Sequence, residues 1–154
     1  MTIGEALHRI QEQSYSRAGH GMRSSWPSEH AMSADELGAF LDERRYCILA
    51  TTSVRGRPQA RPVAFSPVGE SLWFATGSGG RLRNLERAPW ISVVVTDGDR
   101  GAHRAVTLDG PVTLVVEPPG VVVGEWERRF DGRADWAVAW FELRPERVFS
   151  YAGA

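Results

Sequence analysis

The chain contains no lysine: all 18 of its basic residues are arginine. Schiff-base chemistry on a lysine is therefore excluded. Any anion site must be built from guanidinium forks or backbone amides. Cysteine is nearly as scarce. The single residue Cys47 excludes an internal disulfide. No apolar run approaches the ~20 residues of a membrane span, so no membrane partner is expected. The net charge is only -1, which provides no global field for nucleic acid or a lipid surface. His8, His20, His30 and His103 show no metal-ligand spacing, so no metal site is expected. There is no Gly-x-Ser-x-Gly elbow, and a hydrolase triad finds no support. The N-terminal MTIGEALHRIQEQ carries acids and no apolar segment, so it does not read as a secretory signal. A cytoplasmic location is the expectation.

What is present fits a globular domain with a real core: 42% of residues are hydrophobic. Ile3, Leu7 and Ile10 recur at helical spacing within residues 2–13. The polar stretch 14–30 predicts little regular structure and a path across a surface. Residues 1–30 are thus expected to form an N-terminal helix and wrapping segment, and 31–154 the main domain. Ser33 and Glu36 make a capping box that opens a helix carrying Leu37, Phe40 and Leu41.

Beyond that helix the periodicity changes to two. Strands are expected at 46–54, 59–66, 71–76, 90–96, 103–116 and 137–143, with 148–151 extending the last. Pro62 inside the second strand implies an edge or a bulge. Trp90–Thr96 is apolar enough to be buried on both faces. Gly110-Pro111 predicts a bulge in the long fifth strand. A short helix is expected at 81–87, stopped by Pro89, and a helix or loop through about Phe130. The fold class is mainly β (α+β): a small six-stranded barrel with flanking helices. Regular strand–helix alternation, which a doubly wound sheet requires, is missing.

The segment TGSGGRLRNL (Thr76–Leu85) carries the chemistry. Its glycines permit positive φ and close approach of a ligand to the backbone. The following helix contributes unpaired N–H groups and a partial positive charge. Arg81 and Arg83 add charge-assisted bonds, and Thr76 and Ser78 add hydroxyls. These are the parts of a phosphate cradle. The spacing is not a Walker A loop, and it lacks the βαβ context of the dinucleotide fingerprint.

CILATTSVRGRPQARPVAF, then LWFATGSGGRLRNLERAPWISVVV, then VTLDGPVTLV, in that order and with fitting gaps, resembles the pyridoxamine 5′-phosphate oxidase-like flavin-binding split-barrel family. The resemblance covers about Tyr46 to Val116. It implies a homodimer of six-stranded split barrels that binds FMN in the groove between subunits and transfers hydride to or from a small-molecule substrate. It places Arg61, Pro62 and Val63 along the flavin, and Thr76 and Ser78 at the phosphate. Arg81 takes the basic phosphate position, usually lysine, and Asn84 marks the helix that presents it. One of Trp126, Trp136 or Trp140 is expected against the ring or in a substrate pocket. Pyridoxamine-phosphate oxidases themselves carry a longer, arginine-rich C-terminal segment, whereas this chain has only Arg144-Pro145 near its end, so the vitamin B6 reaction is not expected. Alternatives on the same fold are a deazaflavin-dependent reductase, a haem-binding branch weakened by the missing ligand pattern, and a non-catalytic flavin-binding or sensing protein.

Overall fold

Two capping boxes start the helices that lead into the barrel. Thr2 Oγ1 accepts from Glu5 N and opens α1 (Ile3–Ser16); Ser33 Oγ accepts from Glu36 N and opens α3 (Ala34–Glu43). Each satisfies donors that a helix start otherwise leaves free. In this computed structural model, residues 1–153 are described; Ala154, the last residue of the expected main domain, lies outside them.

Eight strands follow: β1 (Tyr46–Thr52), β2 (Pro58–Ala64), β3 (Ser66–Val68), β4 (Ser71–Thr76), β5 (Trp90–Asp97), β6 (Arg104–Val115), β7 (Ala139–Leu143) and β8 (Arg147–Ala152). All pairings are antiparallel, and the path runs β2-β1-β5-β6-β7-β4-β3, with β8 also on β6. The expected class holds, with eight strands rather than six. Two boundaries account for the difference. The second expected strand breaks at Phe65, whose side chain turns into the core. The last does not extend β7: 147–152 turns back onto β6 as a strand of its own.

The ends of the path, β2 and β3, are consecutive in the chain and do not pair with each other. The barrel is therefore split along a seam between β2 and the β3–β4 ribbon. Helix α4 (Gly80–Arg87) follows β4 and packs on β1, and α5 (Gly120–Phe130) packs on β3. The main core holds Leu7, Leu37, Phe40, Leu49, Phe65, Phe74 and Phe141. Each such buried side chain contributes about 1.5–3 kcal/mol. A second cluster, Trp73, Ala75, Val122, Trp126 and Trp140, lies between the outer face of β4–β7 and α5.

Three local expectations are corrected. Burial on both faces belongs to β4, all six of whose residues are buried, and not to β5, where Trp90 and Val94 stay exposed. Gly110 is not a bulge, since it pairs in register with Ile91. It is the point where β6 changes neighbours, from β8 to β7, and the β7–β8 turn crosses so closely that a Cβ there would meet Arg144 O at 2.9 Å. Residues 14–30 are also more regular than expected: α1 continues to Ser16, α2 spans His20–Ser25, and a short 3-10 turn follows. Pro62, by contrast, does sit on an edge strand, β2.

Buried polar bonds tie α1 to the barrel. Gln11 Nε2 donates to Met32 O at 2.9 Å, Met32 N to Ser150 Oγ at 2.8 Å, and Val148 N to Ser14 Oγ at 3.0 Å. Tyr15 packs edge-on against Phe149, with ring centroids 4.9 Å apart.

Candidate functional site

The period-two alternation of β2 sends Gln59, Arg61 and Val63 to one face and Pro62 and Ala64 to the other. As an edge strand beside the seam, β2 leaves both faces reachable. Helix α4 begins directly after β4 because Gly79 adopts φ 139°, a conformation that favours glycine. No side chain caps this helix start, so its first amides are available to a ligand.

Two depressions meet at Arg81. The smaller, about 280 Å³, is lined by Leu49, Thr51, Gln59, Arg61, Gly80 and Arg81. The larger, about 450 Å³, has Pro62, Val63, Ala64 and Ala75 on the seam and Tyr46, Trp126, Phe130, Arg133 and Trp136 beside them. One end is thus polar and doubly cationic, the other largely aromatic. Burial lowers the pKa of Arg81, and the neighbouring Arg61 charge acts in the same direction. Arg61 has no carboxylate partner among the described ion pairs; its Nη1 donates to Ala60 O at 2.8 Å. Cys47 lies inside the barrel near Arg81, and burial pushes its thiol up to about 12, so it is inert.

The expected residues are not all alike in position. Arg61, Pro62, Val63 and Arg81 line the depressions. Asn84 is buried behind the smaller depression and lines neither: its Nδ2 donates to two of that depression's lining side chains, to Thr51 Oγ1 at 3.0 Å and to Gln59 Oε1 at 2.8 Å. Thr76 is buried, and its hydroxyl donates to Gly77 O at 3.0 Å. Ser78 is exposed on the loop and lines neither depression. Of the three tryptophans in question, Trp126 and Trp136 line the larger depression, while Trp140 packs edge-on against Trp126 beneath α5. Sequence reasoning passed over Gln59, Thr51 and Tyr46. The alternation of β1 carried a signal for Thr51, which lies on its buried face opposite Gln59. Among the described residues, no group of three or more His, Cys, Asp or Glu side chains is placed to hold a metal ion.

The chain is a split antiparallel barrel with two arginines and an aromatic wall along its seam. The chain belongs to the pyridoxamine 5′-phosphate oxidase family, whose model matches residues 33–152. No curated protein matches the chain. Among solved structures, a conserved hypothetical protein from Mycobacterium tuberculosis is similar with a TM-score of 0.75 at 22% identity, covering 82% of this chain and 89% of that one. A haem storage protein from Vibrio cholerae gives 0.66 at 24% identity, covering 76% and 93%. An F420 reductase gives 0.59 at 28% identity, covering 71% and 93%. One barrel thus serves proteins with different ligands. No helix among the described residues is long and apolar enough to cross a membrane.

Proposed function

We propose that the chain is an FMN-binding oxidoreductase acting on a small molecule. The observation that supports this most directly is the convergence of Arg61 and Arg81 on a depression that adjoins, at Arg81, a second one with an aromatic wall. The donor set fits a phosphate. Two guanidiniums supply charge-assisted, potentially bidentate bonds, and the uncapped start of α4 supplies amides. Pro62, Val63, Ala64 and Ala75 offer an apolar edge along the seam for a fused ring, with Trp126 and Trp136 at its side. When bound, the flavin supplies hydride chemistry; the chain's own groups bind it, orient it and limit water at its ring. The buried Cys47 thiol is not positioned as a nucleophile.

The reading includes a homodimer. Tyr46, Ile48, Trp90 and Val94 are 66%, 40%, 47% and 37% exposed on one face of β1 and β5, and Ile48 lies opposite both Pro62 and Val94. An apolar sheet face of this kind is suited to an interface. Tyr46 and Pro62 also line the larger depression, so a second copy seated there would close it.

Purified protein tests the proposal. A yellow chromophore with the spectrum of oxidised FMN is expected, bleached by NADH or NADPH. Colour without bleaching would favour a carrier or sensor. Colourless protein that gains no flavin on incubation overturns the proposal. A deazaflavin is the second reading, favoured by the 28% identity to an F420 reductase; tighter binding of deazaflavin than of FMN would select it.

A further inference from the structure

Arg61 and Arg81 carry like charges on different elements, and β2, which holds Arg61, has only one strand neighbour. The ladder to β1 holds the edge from one side, and a side-chain contact ties it directly to α4. Asn84 Nδ2 donates to Gln59 Oε1 on β2 and to Thr51 Oγ1 on β1, so a single buried amide joins helix, inner strand and edge strand. Gln59 is two residues from Arg61 on the same strand face, and Asn84 is one helical turn beyond Arg81.

We infer that Gln59 and Asn84 form a latch that sets the gap between the Arg61 and Arg81 guanidiniums, so that an anionic group meets a spacing already in place. Asn84 is then a positioning residue, reaching the ligand only through the arginines. The inference rests on the proposed phosphate end of the groove. Its physical basis is preorganisation: ordering an edge strand and two long side chains before the ligand arrives removes that cost from binding.

The test uses Gln59→Met in the full chain. Gln59 is exposed on an edge strand, so the fold should survive, with a melting temperature within a few degrees of the original. Asn84 keeps its bond to Thr51. FMN and riboflavin are titrated against both proteins. The original protein should bind FMN more tightly than riboflavin. Gln59→Met should weaken FMN by roughly three- to tenfold, as for one neutral hydrogen bond, and leave riboflavin unchanged. A general loosening would weaken both. In an Arg61→Ala background, Gln59→Met should have little further effect, because the latch acts through Arg61. Additive losses would mean that Gln59 touches the ligand itself, and would overturn the latch. So would an unchanged FMN affinity, or equal losses for both ligands, with the phosphate site left standing. If the original protein shows no preference for FMN, the phosphate reading fails. The latch is then judged with inorganic pyrophosphate by the same pair of variants, and pyrophosphate that does not bind overturns it as well.

Discussion

Arg129 donates from Nε to Phe65 O at 2.9 Å while its guanidinium lies 5.0 Å from the centre of the Phe65 ring. The same side chain, only 3% exposed, also reaches the carbonyls of Leu41, at 2.9 Å, and of Arg44. It therefore binds the end of α3, the break between β2 and β3, and α5 in one place. Burial lowers its pKa to about 10, which leaves it charged at neutral pH.

Arg129→Met removes these donors and leaves buried carbonyls unpaired. A loss of about 3 kcal/mol in unfolding free energy is expected, read from urea denaturation. A change below 1 kcal/mol would show that water replaces the guanidinium there without strain.

Arg81→Ala should reduce FMN affinity by about 1.5–3 kcal/mol, the range for hydrogen bonds to charged groups. Riboflavin, which lacks the phosphate, should bind as before. Calorimetric titration of both ligands decides this, and unchanged FMN affinity would refute the phosphate assignment.

Asp97 receives Arg104 Nη2 at 2.7 Å and Arg44 Nη1 at 2.8 Å. The Arg104 hydrogen bond is the leading reason that its carboxyl is held below the usual range, although burial pushes the other way. The unfolded chain then takes up the proton at a higher pH than the folded one. Stability from this group is present above the ordinary carboxylate pKa of about 3.9 and fades as pH falls through the lower, folded value. Asp97→Asn should flatten that acid limb of the stability profile. Melting curves on both sides of the window measure it, and a profile that keeps its slope would exclude Asp97 as a contributor.

Ile48→Arg puts a charge in the middle of the exposed face of β1. If two copies pair there, the variant should sediment as a monomer, and its flavin affinity should fall because the depression beside Tyr46 loses its cover. An oligomeric state the same as that of the original protein would move the interface elsewhere.

Local chemistry made several elements legible in the chain itself. Ser33 and Glu36 mark a helix start because a capping box is completed within four residues. Thr76–Leu85 announces a glycine-dependent turn into a cationic helix for the same reason: every partner is near in sequence. The alternation of β1 follows from its residues, as does the edge position of β2 from Pro62.

Only the tertiary structure decided what those elements face. Val94 and Leu49 are both apolar β-formers, yet one is exposed and the other is in the core, because burial depends on which sheet face the helices cover. Asn84 carries the same amide in any setting. It ties a helix to two strands because β1 and β2, some 25 to 33 residues earlier in the chain, bring Gln59 and Thr51 within hydrogen-bonding reach. The sequence alone determined which groups could bind an anion; the closing of the sheet determined that Arg61 and Arg81 line one depression, since contacts between distant residues exist only once the chain has folded.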